Sequence, residues 1–237
     1  MMGKQKRLCG FTLLEVLVAV AITASIGAGA VQLLRSVSDA RQAVIIRSEQ
    51  LAVLQRFNEL VSRDVEQFIN RPIRDAYGDE IDSLLLNSGD YLLEFTRAGW
   101  RNRPGVEDPR SELMRVAYRL ESIQNDDCEV SRRRLADWGV DEPELDCLVR
   151  YVWPVLDRGY DSTPRAMVVL DQVETLEVEL ITRYQANETE TSQQTGWPVS
   201  QNADNLEIPL AMQWKLELPV LGEVERLWLI AHDGEDL

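Results

Sequence analysis

The chain has 237 residues, of which 45% are hydrophobic and 27% charged, and its formal net charge is −15 at pH 7. This composition excludes an intrinsically disordered chain and a mini-protein, and it fits one folded domain of ordinary size with an appendage. The acidic balance also argues against nucleic acid and anionic lipid headgroups as ligands of the folded part, because both are bound through lysine and arginine.

The N-terminus predicts a membrane anchor. The first ten residues carry three basic side chains and no acid, and an apolar run follows them. Residues 16–34 contain no charge, which is close to the ~20 residues that a helix needs to cross a bilayer. Basic residues before the run and an acidic chain after it predict one transmembrane helix at 11–35, with the N-terminus in the cytoplasm and residues 36–237 in the periplasm.

Three other interpretations of this N-terminus are open. A cleaved secretory signal has an apolar run of roughly 7–15 residues and a small-residue cleavage site, for which 24–28 is the nearest candidate. A lipoprotein signal places its cysteine after the apolar run, whereas Cys9 precedes it. A plain signal anchor fits the length but leaves the carboxylate of Glu15 unexplained.

Glu15 is the informative residue of this segment. A carboxylate at the centre of a membrane helix costs about 2.5–3.5 kcal/mol on insertion scales. If the chain is cut between Gly10 and Phe11, the new amine lies about 6 Å from Glu15 along a helix, and the amine of a neighbouring copy can pair with it instead. At ~4 Å and an effective dielectric of ~20, such a pair has a Coulomb energy of about 4 kcal/mol before desolvation. The alternative is that the side chain of Glu15 extends to the membrane–water interface and needs no cation from another subunit.

The sequence Gly-Phe-Thr-Leu-Leu-Glu at 10–15 resembles the class III signal peptide of type IV pilins and type II secretion pseudopilins. The resemblance implies that a prepilin peptidase removes residues 1–10 as a leader by cleaving between Gly10 and Phe11. It also implies that the new amine of Phe11 is methylated and that Glu15 aligns subunits during assembly.

The helical pattern continues beyond the membrane segment. No Gly or Pro interrupts residues 31–70, and Pro72 is a natural stop, so a helix from about Phe11 to Phe68 is predicted, roughly 85 Å long. Apolar residues at steps of three, four or seven predict a stripe that packs on the folded body. The residues of this stripe are Val37, Ala40, Val44, Leu51, Leu54, Val61, Val65 and Phe68.

After Pro72 the apolar period changes to two, which predicts six or seven strands. Strands grouped after one long helix predict an α+β fold class in which the helix packs on a mainly antiparallel β-sheet. The predicted strands are 91–96, 113–120, 148–153, 166–170, 176–180, 212–218 and 224–231. The predicted loops, rich in turn or polar residues, are 75–88, 102–110, 125–146 and 185–205.

Residues 93–102 (LEFTRAGWRN) and 110–120 (RSELMRVAYRL) resemble the J-type minor pseudopilin family, with support from 71–75 and 151–157. The resemblance implies a pseudopilin fold and a tip complex with the I- and K-type minor pseudopilins. It further implies that this complex primes a pseudopilus of major pseudopilin, which supports export of folded proteins across the outer membrane. The segment 125–146 looks like an insertion relative to that family. A minor pilin of a type IV pilus is the alternative.

Four arginines surround a tryptophan just after the predicted strand at 91–96. Arginine can stack on an aromatic ring and fork to a carboxylate, so the cluster could contact a partner. We favour a self-contained corner with internal ion pairs. The residues are Arg97, Trp100, Arg101, Arg103 and Arg110.

Cys128 and Cys147 flank an acidic segment. In an exported domain they could oxidise and close a loop worth roughly 3 kcal/mol, with two buried free thiols as the alternative. The acidic runs 126–129 and 141–146 could offer oxygen ligands to Ca²⁺, but neither has EF-hand spacing, and solvated loops are the preferred interpretation.

No catalytic or cofactor-binding motif is recognisable, and the single histidine, His232, has no metal-ligand spacing to a cysteine. We therefore expect no catalytic residue, cofactor or metal. A membrane-anchored periplasmic enzyme or binding module remains the third hypothesis, and it predicts activity in the chain without residues 1–35.

Overall fold

The computed structural model describes residues 12–99, 111–184, 187–199 and 207–230. The chain divides into two compact units, one ending at Leu51 and the other beginning at Ala52. A single helix, α1 (Leu13–Glu66), runs from the first unit into the second. This confirms the long helix predicted from the sequence. Its predicted first residue, Phe11, lies outside the described residues, and its end falls two residues before Phe68, which instead forms an isolated bridge with Arg97.

The first unit exposes its apolar side chains. Leu13 is 79% exposed and Leu34 is 70% exposed. By length and composition α1 could cross a membrane, and none of its most apolar window is buried. Among the described residues of the first unit, nothing therefore covers the charge-free run.

The second unit buries the last part of α1, and here the predicted stripe needs correction. Val53, Phe57, Val61 and Val65 are buried, whereas the predicted members Val37, Ala40, Val44 and Leu51 are exposed. The later members of the stripe are confirmed, since Val61 and Val65 are buried and Leu54 and Phe68 pack partly buried against the core. The buried face begins only at Val53, after the start of the second unit, so the prediction placed the start of the stripe too early.

The rest of the second unit is mainly antiparallel β-sheet, as predicted. A five-stranded sheet has the order β3-β4-β5-β6-β7, a four-stranded sheet has the order β11-β10-β8-β9, and β1 and β2 form a small ribbon. Every strand pair is antiparallel. The strands are β1 (Ile73–Arg74), β2 (Glu80–Ile81), β3 (Leu84–Leu86), β4 (Leu93–Ala98), β5 (Leu113–Glu121), β6 (Asp146–Trp153), β7 (Arg165–Val173), β8 (Thr175–Tyr184), β9 (Asn187–Gln194), β10 (Glu207–Leu218) and β11 (Gly222–Leu229).

Three predicted loops contain regular structure. The segment 125–146 contains a 3-10 turn (Asp126–Cys128) and α2 (Glu129–Asp137), and 75–88 contains β2 and β3. The segment 185–205 contains β9, a polar edge strand that pairs only with β8. These elements are short or lack an apolar period, so backbone pairing and docking decide their structure rather than side-chain pattern. The predicted loop 102–110 lies outside the described residues.

Two apolar clusters form the core. The larger one joins the end of α1 to both large sheets, with Phe57, Tyr118 and Trp214 among its members. The smaller one contains Ala117 and Val149 with Leu135 of α2. Since neighbouring residues along a strand point to opposite faces, the two clusters lie on opposite faces of the five-stranded sheet.

Candidate functional site

The predicted assembly residue Glu15 lies in the first turn of α1 and is exposed. Its backbone N–H donates to the hydroxyl of Thr12 at 3.2 Å and to the carbonyl of Thr12 at 3.1 Å. Thr and Glu at this spacing form the sequence of a capping box, which stabilises a helix start. The predicted cleavage residues, Gly10 and Phe11, lie outside the described residues.

Exposed apolar side chains flank this carboxylate. Leu14 is 70% exposed and Val16 is 51% exposed, and both neighbour Glu15 in sequence. A helix surface of this kind suits lipid or other helices, and in either setting an unpaired carboxylate is costly. Glu15 therefore has the chemistry of a group that gains from meeting a cation.

A second polar site, which the sequence analysis missed, lies inside the folded unit. Asp64 of α1 is fully buried and contacts three strands of the five-stranded sheet. Arg150 of β6 donates to it at 2.5 and 2.9 Å, and the hydroxyl of Tyr118 in β5 donates at 2.6 Å. Arg97 of β4 donates to the same carboxylate and also to Gln67. One carboxylate thus ties the end of the helix to β4, β5 and β6.

The pKa values around Asp64 reflect burial and this pairing. Burial raises the pKa of Tyr118 well above its usual value, and the charge and hydrogen bond of Asp64 raise it further. Burial works to lower the pKa of Arg150, but the hydrogen bond and charge of Asp64 outweigh it and raise that pKa. Tyr118 and Arg150 therefore both keep their protons at neutral pH.

Glu94 of β4 organises a second buried cluster. Arg115 of β5 donates to it at 2.8 Å, and Arg158 donates to the same oxygen at 2.5 Å. Arg158 also stacks on Trp153, with its guanidinium carbon 4.0 Å from the ring centroid. Burial lowers the pKa of Arg115 despite the opposing charge of Glu94. This arrangement fastens the segment after β6 to the middle of the sheet.

In the structure Cys128 and Cys147 are joined by a disulfide. The bond links the 3-10 turn to β6, and α2 is held further by Asp171 of β7, which accepts from Ser131 at 2.8 Å and from Arg134 at 2.7 Å. Residues 126–137 therefore form a docked cover on one face of the sheet, whereas the acidic side chains of the run at 141–146 are exposed, as the preferred interpretation had it.

The predicted arginine–tryptophan corner is described only at Arg97. That side chain points inward to Asp64 and Gln67. Trp100, Arg101, Arg103 and Arg110 lie outside the described residues.

The missed residue Asp64 carries one sequence signal. It lies seven residues after Phe57 and three after Val61, on the apolar side of the helix. A carboxylate on an apolar face, close to a helix C-terminus where negative charge is disfavoured, requires buried cations. Nothing in the sequence alone identifies Arg97 and Arg150 as those cations.

The described ranges contain no group of three or more His, Cys, Asp or Glu side chains that could hold a metal ion. The acidic run at 126–129 is partly engaged, since Asp127 accepts from the hydroxyl of Tyr151 at 2.8 Å. The polar clusters described above are ion pairs and hydrogen bonds that join separate elements of the folded unit.

Two family models match this chain. The model described as Type II secretion system (T2SS), protein J, matches residues 32–230. The model described as Prokaryotic N-terminal methylation motif matches residues 5–31. Together they cover the apolar part of α1 and nearly all of the folded unit.

The chain is also similar to individual proteins of the same name as the first family model. The chain is 29% identical to the Type II secretion system protein J of Escherichia coli over 226 residues, which is 93% of this chain and 95% of the relative. It is 38% identical to the protein of the same name from Vibrio cholerae over 124 residues, covering 50% of this chain and 56% of the relative.

The fold is similar to a chain in the crystal structure of the GspK-GspI-GspJ complex from the type 2 secretion system of enterotoxigenic Escherichia coli. The match has a TM-score of 0.52 and 24% sequence identity, and it covers 78% of this chain and 99% of that chain. This similarity confirms the predicted pseudopilin fold, in which a long helix packs on an antiparallel β-sheet body.

Proposed function

This chain belongs to the type II secretion system protein J family, and from that premise we propose that it is a processed minor pseudopilin, a structural subunit of a pseudopilus tip rather than an enzyme. The observation that carries the proposal is the combination of two matches in one chain, a methylation motif at 5–31 and a protein J body at 32–230. The match to the protein J body favours secretion over the alternative, a minor pilin of a type IV pilus.

The first step of the proposal is processing. A prepilin peptidase cleaves between Gly10 and Phe11, removes the basic leader and leaves a methylated Phe11 amine. The match to the methylation motif supports this step. The basic leader before the apolar helix supports insertion in the inner membrane as a single span, with the leader in the cytoplasm and the body in the periplasm.

The second step is assembly through Glu15. A mature amine is a cation, and a carboxylate in an apolar environment gains most when such a cation is adjacent. Side-by-side packing of helices brings the Phe11 amine of one subunit to the Glu15 of another. The exposed apolar surface around Glu15 supports packing against lipid before assembly and against neighbouring helices after it.

The partners of the proposal are the I- and K-type minor pseudopilins and, below them in the filament, the major pseudopilin. The similar Escherichia coli chain was crystallised in a complex with a GspK and a GspI chain. A tip of three minor subunits would prime a pseudopilus that supports the export of folded proteins.

Processing is tested by the intact mass of the full chain extracted from membranes of cells that express a prepilin peptidase. We expect a chain that begins at Phe11 and carries one added methyl group. Gly10→Ala should slow the conversion, whereas Gly27→Ala should not, because an added methyl at Gly27 meets nothing within 4 Å. A mature chain that begins elsewhere would refute the processing step.

Assembly is tested by pull-down of the full chain with I- and K-type pseudopilins. Glu15→Ala should leave cleavage intact and reduce recovery of the partners by about tenfold or more, since an ion pair in an apolar setting is lost. Glu59→Ala removes an exposed carboxylate from the same helix and is the matched control. Equal recovery with the Glu15→Ala chain would refute the role of Glu15 while leaving processing unaffected.

A further inference from the structure

Two tyrosines from distant parts of the sequence meet on the surface of the folded unit. The ring centroids of Tyr77 and Tyr160 are 5.5 Å apart, and the rings are nearly perpendicular, at 81°. Tyr77 is 78% exposed and Tyr160 is 76% exposed. Single exposed apolar residues are ordinary, but two touching rings that the core does not use call for an explanation.

The turn that carries Tyr77 is fixed by its own hydrogen bonds. The carboxylate of Asp75 accepts from the N–H of Tyr77 at 2.8 Å and from the N–H of Asp79 at 2.9 Å. Gly78 adopts a positive φ of 89°, which a glycine tolerates, and its carbonyl accepts from the guanidinium of Arg74 at 2.8 Å. The backbone beneath Tyr77 is therefore held in place.

The turn that carries Tyr160 is closed in the same way and is tied to the first. The N–H of Gly159 donates to the hydroxyl of Ser162 at 2.9 Å. The N–H of Arg158 donates to the carbonyl of Arg74 at 2.9 Å, and the N–H of Arg74 donates to Asp157 at 3.2 Å. Two turns more than 80 residues apart in sequence thus hold two rings in contact, with their outer surfaces open.

The charged side chains near the two tyrosines differ in how far they are already engaged, with the arginines bonded and the aspartates exposed. The guanidinium of Arg74 is used within its turn, and that of Arg158 is used by Glu94 and Trp153. Asp79 and Asp161, in contrast, are exposed carboxylates within two residues of the tyrosines. Aromatic faces attract cations, and a planar guanidinium can stack on a ring while it forks to a carboxylate.

We propose that the Tyr77–Tyr160 surface, defined as these two rings with Asp79 and Asp161, is a docking site for an arginine-bearing segment of a protein partner. The rings supply faces for the guanidinium, the carboxylates supply its hydrogen-bond acceptors, and the bonded turns lower the ordering cost of binding. Tyrosine is enriched among the residues that dominate binding at protein interfaces. The proposal is independent of processing and of Glu15.

The test measures binding of a fluorescent hexapeptide of alternating glycine and arginine to the full chain in detergent micelles. Tyr77→Leu with Tyr160→Leu should weaken binding about three- to thirtyfold, because leucine keeps apolar area but has no aromatic face. Tyr77→Phe with Tyr160→Phe should stay within about twofold of wild type, since both faces remain. The matching lysine and citrulline peptides should bind more weakly than the arginine peptide.

Charge and folding are controlled separately. Asp79→Asn with Asp161→Asn should also weaken binding, whereas Glu177→Gln with Glu223→Gln, which removes the same charge from exposed positions elsewhere, should not. The unfolding midpoints of all these chains should equal that of wild type, because the altered side chains are exposed. Wild-type binding by the leucine variant, equal binding of the lysine peptide, or an equal loss in the charge control would each overturn the proposal.

Discussion

The two units of this chain differ in whether their apolar and charged side chains are exposed or buried. In the first unit, described from Thr12, large apolar side chains are exposed and the lone acid of the first turn, Glu15, is exposed among them. In the second unit, apolar side chains fill a core, and charged side chains such as Asp64, Arg115 and Glu94 are buried with partners of opposite sign.

The difference shows where each unit finds the partners it needs. In the described part of the second unit, the buried Asp64, Arg115 and Glu94 each pair with a side chain of opposite charge, so the fold depends on contacts within the unit. In the first unit, most of the described apolar side chains are exposed, and the proposed function assigns lipid or other subunits as their partners. Substitutions in the two units should therefore separate folding from assembly.

Asp64→Ala should give the largest loss of stability. It leaves Arg97 and Arg150 buried without their carboxylate, and breaking such a pair costs about 3–5 kcal/mol. Urea unfolding of the full chain in detergent, followed by tryptophan fluorescence, measures the free energy of unfolding. Glu59→Ala, an exposed carboxylate of the same helix, should stay close to wild type. A loss below about 1 kcal/mol for Asp64→Ala would mean that the body does not depend on this cluster.

Opening the disulfide should rank second. Replacing Cys128 and Cys147 with alanine, or adding reductant, releases a loop with a sequence separation of 19 and should cost about 3 kcal/mol. Unfolding with and without reductant measures this, and the intact mass shows whether both thiols have lost their hydrogens. Cys9→Ala is the control, because Cys9 lies in the predicted leader. An unchanged free energy of unfolding of the wild-type chain on addition of reductant would contradict the prediction.

Tyr118→Phe should have a smaller effect that depends on pH. It removes a hydrogen bond to a charged carboxylate, worth about 1.5–3 kcal/mol. Burial raises the pKa of Tyr118, so the folded state keeps a proton that the unfolded state releases above pH ~10, and wild-type stability should fall as pH rises beyond that value.

The stability of the Tyr118→Phe chain should fall less steeply over the same range. It should still fall, because burial also raises the pKa values of Tyr91 and Tyr151. Urea unfolding between pH 8 and 11 measures the slope, and the exposed Tyr160→Phe serves as the control. Parallel curves for wild type and Tyr118→Phe would exclude Tyr118 as a source of the slope.

Glu15→Gln should have the smallest effect on the folded body, below about 0.5 kcal/mol, because its side chain is exposed in the first unit. The same substitution should reduce assembly with partner subunits in the pull-down. A large loss of stability of the folded unit together with normal assembly would show that Glu15 acts in folding rather than in assembly, contrary to this prediction.

Much of the fold followed from periodicity. Alternation over 113–120 and 212–218 predicted β5 and β10, whose residues face a core on one side and solvent or a second cluster on the other. The polar edge strand β9 and the short helix α2 were missed, because neither has enough apolar residues to show a period. Backbone pairing with β8 holds the first, and Asp171 with the disulfide holds the second.

By itself the sequence predicted an anchor and a processing motif with Glu15, and it determined the α+β class and the resemblance to protein J, because these depend on residues close together in the chain or on a repeating pattern. Only the tertiary structure decided that Asp64 meets Arg97, Tyr118 and Arg150, and that Tyr77 touches Tyr160. Such contacts join residues 33 to 86 positions apart, and they depend on strand register and turn geometry, which no local pattern records.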